Sequence, residues 1–355
     1  METGRAGIDG FAGDIAAQRK YMGARVPSYD RVLALVADRL GGELGRRLGK
    51  AWARRRFDIY YERPLLLLAT LRFDALATGP EHPLWPSLAA DRPDPDAVTD
   101  DALERAFARD RPHVWHSLTR RRVQTNEVSR AVAWLWPAAL ASAELVLCDM
   151  GCSAGLNLVA DAIDLAWTAP DGRALPLARG ARVQRRLGFD LEPLDATDED
   201  DRNWLRACVW VGERDRLSRL EQALDAFAAA GAAAPVIERI DARDMPARLA
   251  ALSSGDGALW LAYQTLVREY LGEARAPYLE GMRAWLAARP PGRALWIELE
   301  DPPHGATRER PAALLAHVRG RDGTVLDLVL ARCEYHPVVV APEPEAVDLL
   351  RAALA

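Results

Sequence analysis

The sequence predicts an α/β protein, with a largely parallel sheet covered by helices and an all-helical region before it. Three observations carry this. Apolar residues recur at helical spacing through the first 140 positions, with no alternating strand pattern. From Glu144 onward, short apolar runs alternate with helical stretches, the order expected of a parallel sheet. Near the end, residues 324–334 and 338–341 are β-rich with no helix between them, which predicts an antiparallel closing pair around His336-Pro337.

The elements follow in order. Residues 28–40 place Val32, Leu33, Leu35, Val36 and Leu40 at helical spacing, and Gly41-Gly42 stops the helix. Residues 63–76 do the same with Leu65, Leu66, Leu68, Leu71 and Leu76. Gly79-Pro80, Pro83, Pro86, Pro93 and Pro95 mark a loop. Residues 100–109 open as a capped helix, and 118–140 read as a helix broken at Pro137. Leu145–Met150 is the first strand, and a helix is expected at 156–166. Further strands are expected at 182–189, 235–240, 258–263 and 294–299. Helices are expected at 200–208, 214–230, 276–288, 310–318 and Pro344–Leu354. Two domains follow: a helical one over 1–140 and an α/β one over 141–355.

Composition narrows the function classes. The chain has 355 residues, half of them hydrophobic and 27% charged, which excludes a disordered chain, a fibre and a small disulfide scaffold. Forty-six basic against 51 acidic residues argue against bulk nucleic-acid binding. Apart from Lys20 and Lys50 every cation is arginine, a bias we attribute to base composition. Four cysteines without a Cys-x-x-Cys pair predict reduced thiols and a cytoplasmic protein. Residues 1–20 lack the apolar core of a leader. The most apolar stretch, 131–146, is interrupted by Pro137 and Glu144, so no membrane span is expected. His113 and His116 have a spacing used by metal sites but no third ligand in view, so no metal is expected.

The central motif is Asp149-Met150-Gly151-Cys152-Ser153-Ala154-Gly155-Leu156-Asn157, a strand end, a turn of small residues and a helix start. Such a turn lets a ligand approach the backbone, beside free N–H groups. It reads as a nucleotide-cofactor loop, as a Gly-x-Ser-x-Gly nucleophile elbow with Ser153 as nucleophile, or as a tight turn without ligand. An elbow needs strands before the serine and an acid–histidine pair after it. The first 140 residues supply helices, although Asp301 with His304, or Asp327 with His336, could complete a triad. A cofactor loop needs acids at the next strand ends. Asp190 ends the second strand, placed for ribose hydroxyls, and Asp241-Ala242 ends the third, placed for an adenine amino group.

Three acids at three successive strand ends resemble class I S-adenosylmethionine-dependent methyltransferases, which have a Rossmann-like seven-stranded sheet with an antiparallel C-terminal hairpin. The first motif matches theirs, with Ser153 replacing the middle glycine. Gly188-Phe189-Asp190-Leu191-Glu192-Pro193 and Asp241-Ala242 match the ends of their second and third strands. The resemblance implies S-adenosylmethionine as cofactor. Gly151, Ser153 and Gly155 would line its methionine part, Asp190 would hold the ribose and Asp241 the adenine edge. Asp149, Asn157 and Ala242 complete the set. A closer resemblance covers most of the chain. Residues 123–128, 151–158 and 190–205 are similar to one bacterial family known as a domain of unknown function, which pairs a helical region with a methyltransferase-like domain.

Gln124, Asn126 and Glu127 precede the sheet, with Gln124 and Glu127 spaced to share a helix face. They are candidates for cofactor or substrate contact, the plainer reading being an exposed linker face. Tyr263 and Gln264 end the fourth strand, where a methyltransferase faces the transferred methyl group, and with Glu127 they are the catalytic candidates. Arg54-Arg55-Arg56 and Arg120-Arg121-Arg122 read as solvated faces more readily than as anion sites. Thr197 with Asp200 fits a capping box. The expected function is methyl transfer to a small molecule. The alternatives are a serine hydrolase using Ser153 and a non-catalytic binding protein on the same scaffold.

Overall fold

The structure is a computed structural model that describes residues 5–141, 143–252 and 257–355. Its first helices are α1 (Phe11–Met22), α2 (Pro27–Ala37), α3 (Glu43–Trp52), α4 (Glu62–Thr78), α5 (Trp85–Leu88), α6 (Asp100–Ala106) and α7 (Pro112–Arg120). After α8 (Val132–Ala138) the chain runs β1 (Leu145–Met150), β2 (Val183–Asp190), α9 (Glu199–Cys208), α10 (Arg214–Ala229) and β3 (Val236–Arg239). It continues through α11 (Met245–Ala251), β4 (Leu259–Thr265), α12 (Arg275–Ala287) and β5 (Ala294–Glu300). It closes with β6 (Ala312–Arg319), β7 (Val325–Cys333), β8 (Val340–Pro342) and α13 (Pro344–Leu354).

The chain divides into two compact units. One comprises Met1–Thr125 with Asp198–Ser218, and the other comprises Asn126–Thr197 with Arg219–Ala355. The break falls after Thr125 rather than at residue 140, and the helical unit also takes a segment from between β2 and β3.

The helical unit is built around α4, which is apolar on nearly all sides and therefore buried. Thr99 caps α6 through the Ala102 N–H, and Pro27 starts α2, where its missing N–H costs nothing. The inserted α9 packs Trp204 edge-on against Phe73 of α4, with ring centroids 5.6 Å apart, and Trp204 Nε1 donates to the Arg122 carbonyl. Its N-cap is Asp198, which accepts from Asp201 N, while the Thr197 hydroxyl donates to Asp195. The expected Thr197–Asp200 capping box is therefore replaced by an Asp198 cap one residue on. Arg63, fully buried on α4, is compensated on every side. Asp14 Oδ2 accepts from its Nε and Nη2 at 2.9 and 2.6 Å, and the Gly7 and Asp9 carbonyls accept from Nη1.

The second unit is an eight-stranded sheet in the order β8-β7-β6-β5-β4-β1-β2-β3. The five strands β3, β2, β1, β4 and β5 run parallel, and β6, β7 and β8 form an antiparallel meander on the β5 side. One face packs Cys148, Met150, Phe189, Trp260 and Trp296 against Met245 and Leu249 of α11 and Tyr278, Met282 and Trp285 of α12. Chain order reverses at β1, so the carboxyl ends of β1 and β4 flank the switch point where open α/β sheets bind ligands.

Several expectations change. The sheet has eight strands where seven were expected. Residues 310–318, expected as a helix, contain β6 instead. Its run Ala312–Val318 is buried on both faces, which erases the period-two alternation, and its Ala and Leu residues mimic a helix. The helix expected at 156–166 is a 3₁₀ turn, Leu156–Ala162, because Arg186 of β2 takes the Leu158 carbonyl and pairs with Asp161. The helix expected over 118–140 stops at Arg120 and resumes as a 3₁₀ turn at Val128 and then as α8. Arg55 captures the Leu118 and Arg121 carbonyls, and residues 121–127 run without helix. A two-residue ribbon, Arg5–Ala6 with Arg56–Phe57, lies in the region expected to have no strand. Among the described residues no helix is long and apolar enough to cross a membrane.

The Arg63–Asp14 pair generates a stability test. Removing one partner of a buried pair leaves the other charge uncompensated, which typically costs about 3–5 kcal/mol. Asp14→Asn should therefore lower the unfolding free energy by about that amount in urea denaturation, whereas a change under 1 kcal/mol would show that the pair is dispensable.

Candidate functional site

The carboxyl edge of the sheet gathers the glycine turn and the acids of β1 and β2. Gly151, Ser153 and Gly155 all have positive φ, at 84°, 53° and 72°. Ser153 is thus a non-glycine residue held in the left-handed region, which requires local compensation. Asp190 supplies it: its Oδ2 accepts the Ser153 N–H at 2.8 Å, and its Oδ1 accepts the Glu192 N–H at 2.9 Å. The Asn126 side-chain amide donates to the Ser153 hydroxyl at 2.6 Å. The glycines are also required sterically. A Cβ on Gly151 would lie 2.6 Å from Val267 Cγ2, and one on Gly155 would lie 2.5 Å from Ile237 Cδ1. The missing side chains admit Val267 of the loop after β4 and Ile237 of β3, a packing role that the ligand-approach reading of the turn did not include.

The three strand-end acids have three different environments. Asp149 is buried opposite Tyr263 of β4 in the strand register. The Asp149 carboxyl and the Tyr263 hydroxyl are both buried and face each other across the two strands. Burial pushes the Asp149 carboxyl up to about 8, the nearby Asp190 adding to this and Tyr263 opposing it. Asp190 is raised by burial, against its two backbone hydrogen bonds. Asp241 is held down at about 2 by the Arg243 side chain, which grips both its oxygens, and by the Arg243 N–H. Ala242 beside it is half-buried and packs against the sheet core. Asn157 lies in the 3₁₀ turn, its Oδ1 buried without a partner and its carbonyl bonded by Trp134 Nε1.

The catalytic candidates separate. Gln264 is fully buried with both ends of its amide engaged: Oε1 accepts from the Tyr278 hydroxyl at 2.6 Å, and Nε2 donates to Glu300 at 3.0 Å. Glu300 also accepts from the Val267 and Arg268 N–H groups, and burial raises its carboxyl to about 7. On the same sheet face Glu298 bonds Arg268 and His317, and His317 bonds Asp327. Glu127 is buried. It caps the 3₁₀ turn through Ser129 N, pairs with Arg219 at 3.2 Å, and lies 3.9 Å from His336 Nδ1. Gln124 and Glu127 do not share a helix face, because residues 121–127 are not helical. Gln124 belongs to the helical unit, where its backbone bonds the Cys208 thiol.

The acids of both acid–histidine pairs expected for a hydrolase are engaged by other groups. Asp301 accepts from the Tyr335 hydroxyl, and Asp327 pairs with His317 and Arg283. His113 packs edge-on to Phe73. Of the arginine runs, Arg55 holds backbone carbonyls and Arg121 pairs with Asp200 and Asp201. The Glu127–His336 proximity and the buried Glu298–Glu300 network were not read from sequence. The second had a signal, since Glu298 and Glu300 alternate with Trp296 on one face of an otherwise apolar strand.

The Asp149 environment makes stability depend on pH. Between the ordinary carboxylate range and about 8, the folded protein holds a proton that the unfolded chain releases, so this group's contribution falls as pH rises, by up to about 1.4 kcal/mol per unit. Asp149→Asn should therefore gain stability relative to wild type as pH rises from 5 to 8, measured by urea denaturation. A pH-independent difference would place the Asp149 titration elsewhere.

No curated protein matches the chain. A family model described as "Uncharacterized protein conserved in bacteria (DUF2332)" matches residues 16–341, and by this match the chain belongs to that bacterial family.

Proposed function

We propose that the second unit binds S-adenosylmethionine at the carboxyl ends of β1, β2 and β3 and transfers its methyl group to a small molecule. The observation that carries this is the Asp190 carboxylate beside the left-handed turn at the switch point. Each of its oxygens accepts one backbone N–H, which leaves acceptor capacity for two ribose hydroxyls. The buried Asp149 carboxyl and Tyr263 hydroxyl are further polar groups next to the turn. The donor set therefore fits the cofactor, with Gly151, Ser153 and Gly155 toward its methionine part and Asp241, once released by Arg243, toward the adenine.

The cofactor would supply an electrophilic methyl group on a sulfonium. Positioning then does most of the work for the chain's own residues. Gln264 acts in this reading through the Glu300 network, which fixes the loop after β4 that carries Val267 onto Gly151. His336 is the candidate proton acceptor. Its side chain is 40% exposed, and Glu127, itself held by Arg219, stands behind its Nδ1 to orient the ring and stabilise the imidazolium.

Isothermal calorimetry with S-adenosylmethionine and its demethylated product tests the reading. Wild type should bind both, and Asp190→Ala should weaken binding at least tenfold, by about 1.4 kcal/mol or more. Absence of binding by the folded wild type would overturn it. One observation favours the hydrolase instead, the strained Ser153 at the strand-to-turn junction. Because the acids of its expected pairs are engaged by other groups, a fluorophosphonate probe should leave Ser153 unlabelled. Labelling that disappears in Ser153→Ala would favour the hydrolase. Cofactor retention without turnover on any acceptor would favour the non-catalytic binding protein.

A further inference from the structure

Two arginines of α4 are buried, and they are treated differently. Arg63 has a carboxylate and two carbonyls. Arg72 is 5% exposed, yet its Nε and Nη1 are buried without hydrogen-bond partners. Among the described residues no carboxylate pairs with it. Asp74, two residues on in α4, holds His82 and Arg111 instead. Two neighbours could in principle carry a compensating negative charge, and neither does. Burial pushes the Cys208 thiol up to about 12, and it raises the Tyr29 hydroxyl against the pull of Arg72. The guanidinium is a permanent cation, so this is a buried charge with open donors, an arrangement that is costly unless a partner arrives.

We propose that Arg72 anchors a binding site for a small oxyanion, a carboxylate or phosphate group, in the helical unit. The open guanidinium N–H groups supply charge and planar donors suited to such a group. The Tyr29 hydroxyl, which also receives the Val211 N–H, sits beside them as a further polar contact. The irregular segment 209–213, with Gly212 at φ 86°, meets the Tyr29 hydroxyl through the Val211 N–H, and in this proposal it is the part that an entering anion would displace. The site makes no use of the cofactor reading and stands whether or not that reading holds.

The test is thermal unfolding of the full chain in chloride at constant ionic strength, titrated with inorganic phosphate or with acetate. A ligand that binds only the folded state raises the melting temperature in a saturable way, by roughly 3 °C or more at a hundredfold over half-saturation. Wild type should show this rise at millimolar concentration with at least one anion, and Arg72→Met should abolish it. A rise with phosphate alone assigns a phosphate group, and a rise with acetate assigns a carboxylate. Without added oxyanion, Arg72→Met should melt no lower than wild type, the opposite of Asp14→Asn. No saturable rise in wild type up to about 50 mM, or an equal rise in wild type and variant, would overturn the proposal. Should Arg72→Met not fold, Tyr29→Phe decides. It should raise the half-saturation concentration several-fold, and an unchanged value would also overturn the proposal.

Discussion

The hydrogen bond from the Ser153 N–H to Asp190 is the constraint on which the carboxyl edge of the sheet depends. It holds a non-glycine residue in left-handed geometry and fastens the turn after β1 to the end of β2. Other ties converge on the same turn. Asn126 reaches the Ser153 hydroxyl from the preceding segment, Val267 packs over Gly151 from the loop after β4, and Glu300 of β5 holds the Val267 N–H. The ends of β1, β2, β4 and β5 thereby become one cross-linked surface, and the links between the strand ends are backbone amides and a missing Cβ.

That surface does not carry three equal charges. Asp149 is pushed toward its neutral form by burial, Asp190 is partly shifted the same way, and Asp241 is ionised and gripped by Arg243. A neutral acid can donate a hydrogen bond that a carboxylate cannot, so the first and third acids of the series offer opposite chemistry. Residue type alone suggests a row of anions, and environment divides it.

Much of the sheet unit was legible in the sequence because its signals are local. Apolar runs bounded by turn residues located β1, β2, β3, β4 and β5, and the acids at their ends located the edge. The misread segments are those in which a distant side chain intervenes. Arg186 unwinds the stretch after Gly155, and Arg55 takes the carbonyls that would continue α7. Strand β6 was hidden for another reason, since burial on both faces removes the alternation that distinguishes a strand from a helix. At the candidate site, residue identity announced Asp149, Asp190 and Asp241. It could not announce the pairing of Glu127 with His336, which are brought together only by the return of the chain after β7.

The excursion between β2 and β3 has a consequence for synthesis. The helical unit is not finished at Thr125; it waits for Asp198–Ser218, which brings Trp204 against Phe73 and the Asp200–Asp201 pair to Arg121. A ribosome must therefore emit β1 and β2 before the first unit can close, and the nascent helices stand incomplete in the meantime. A fragment cut at the apparent domain border would lack one wall of its own core.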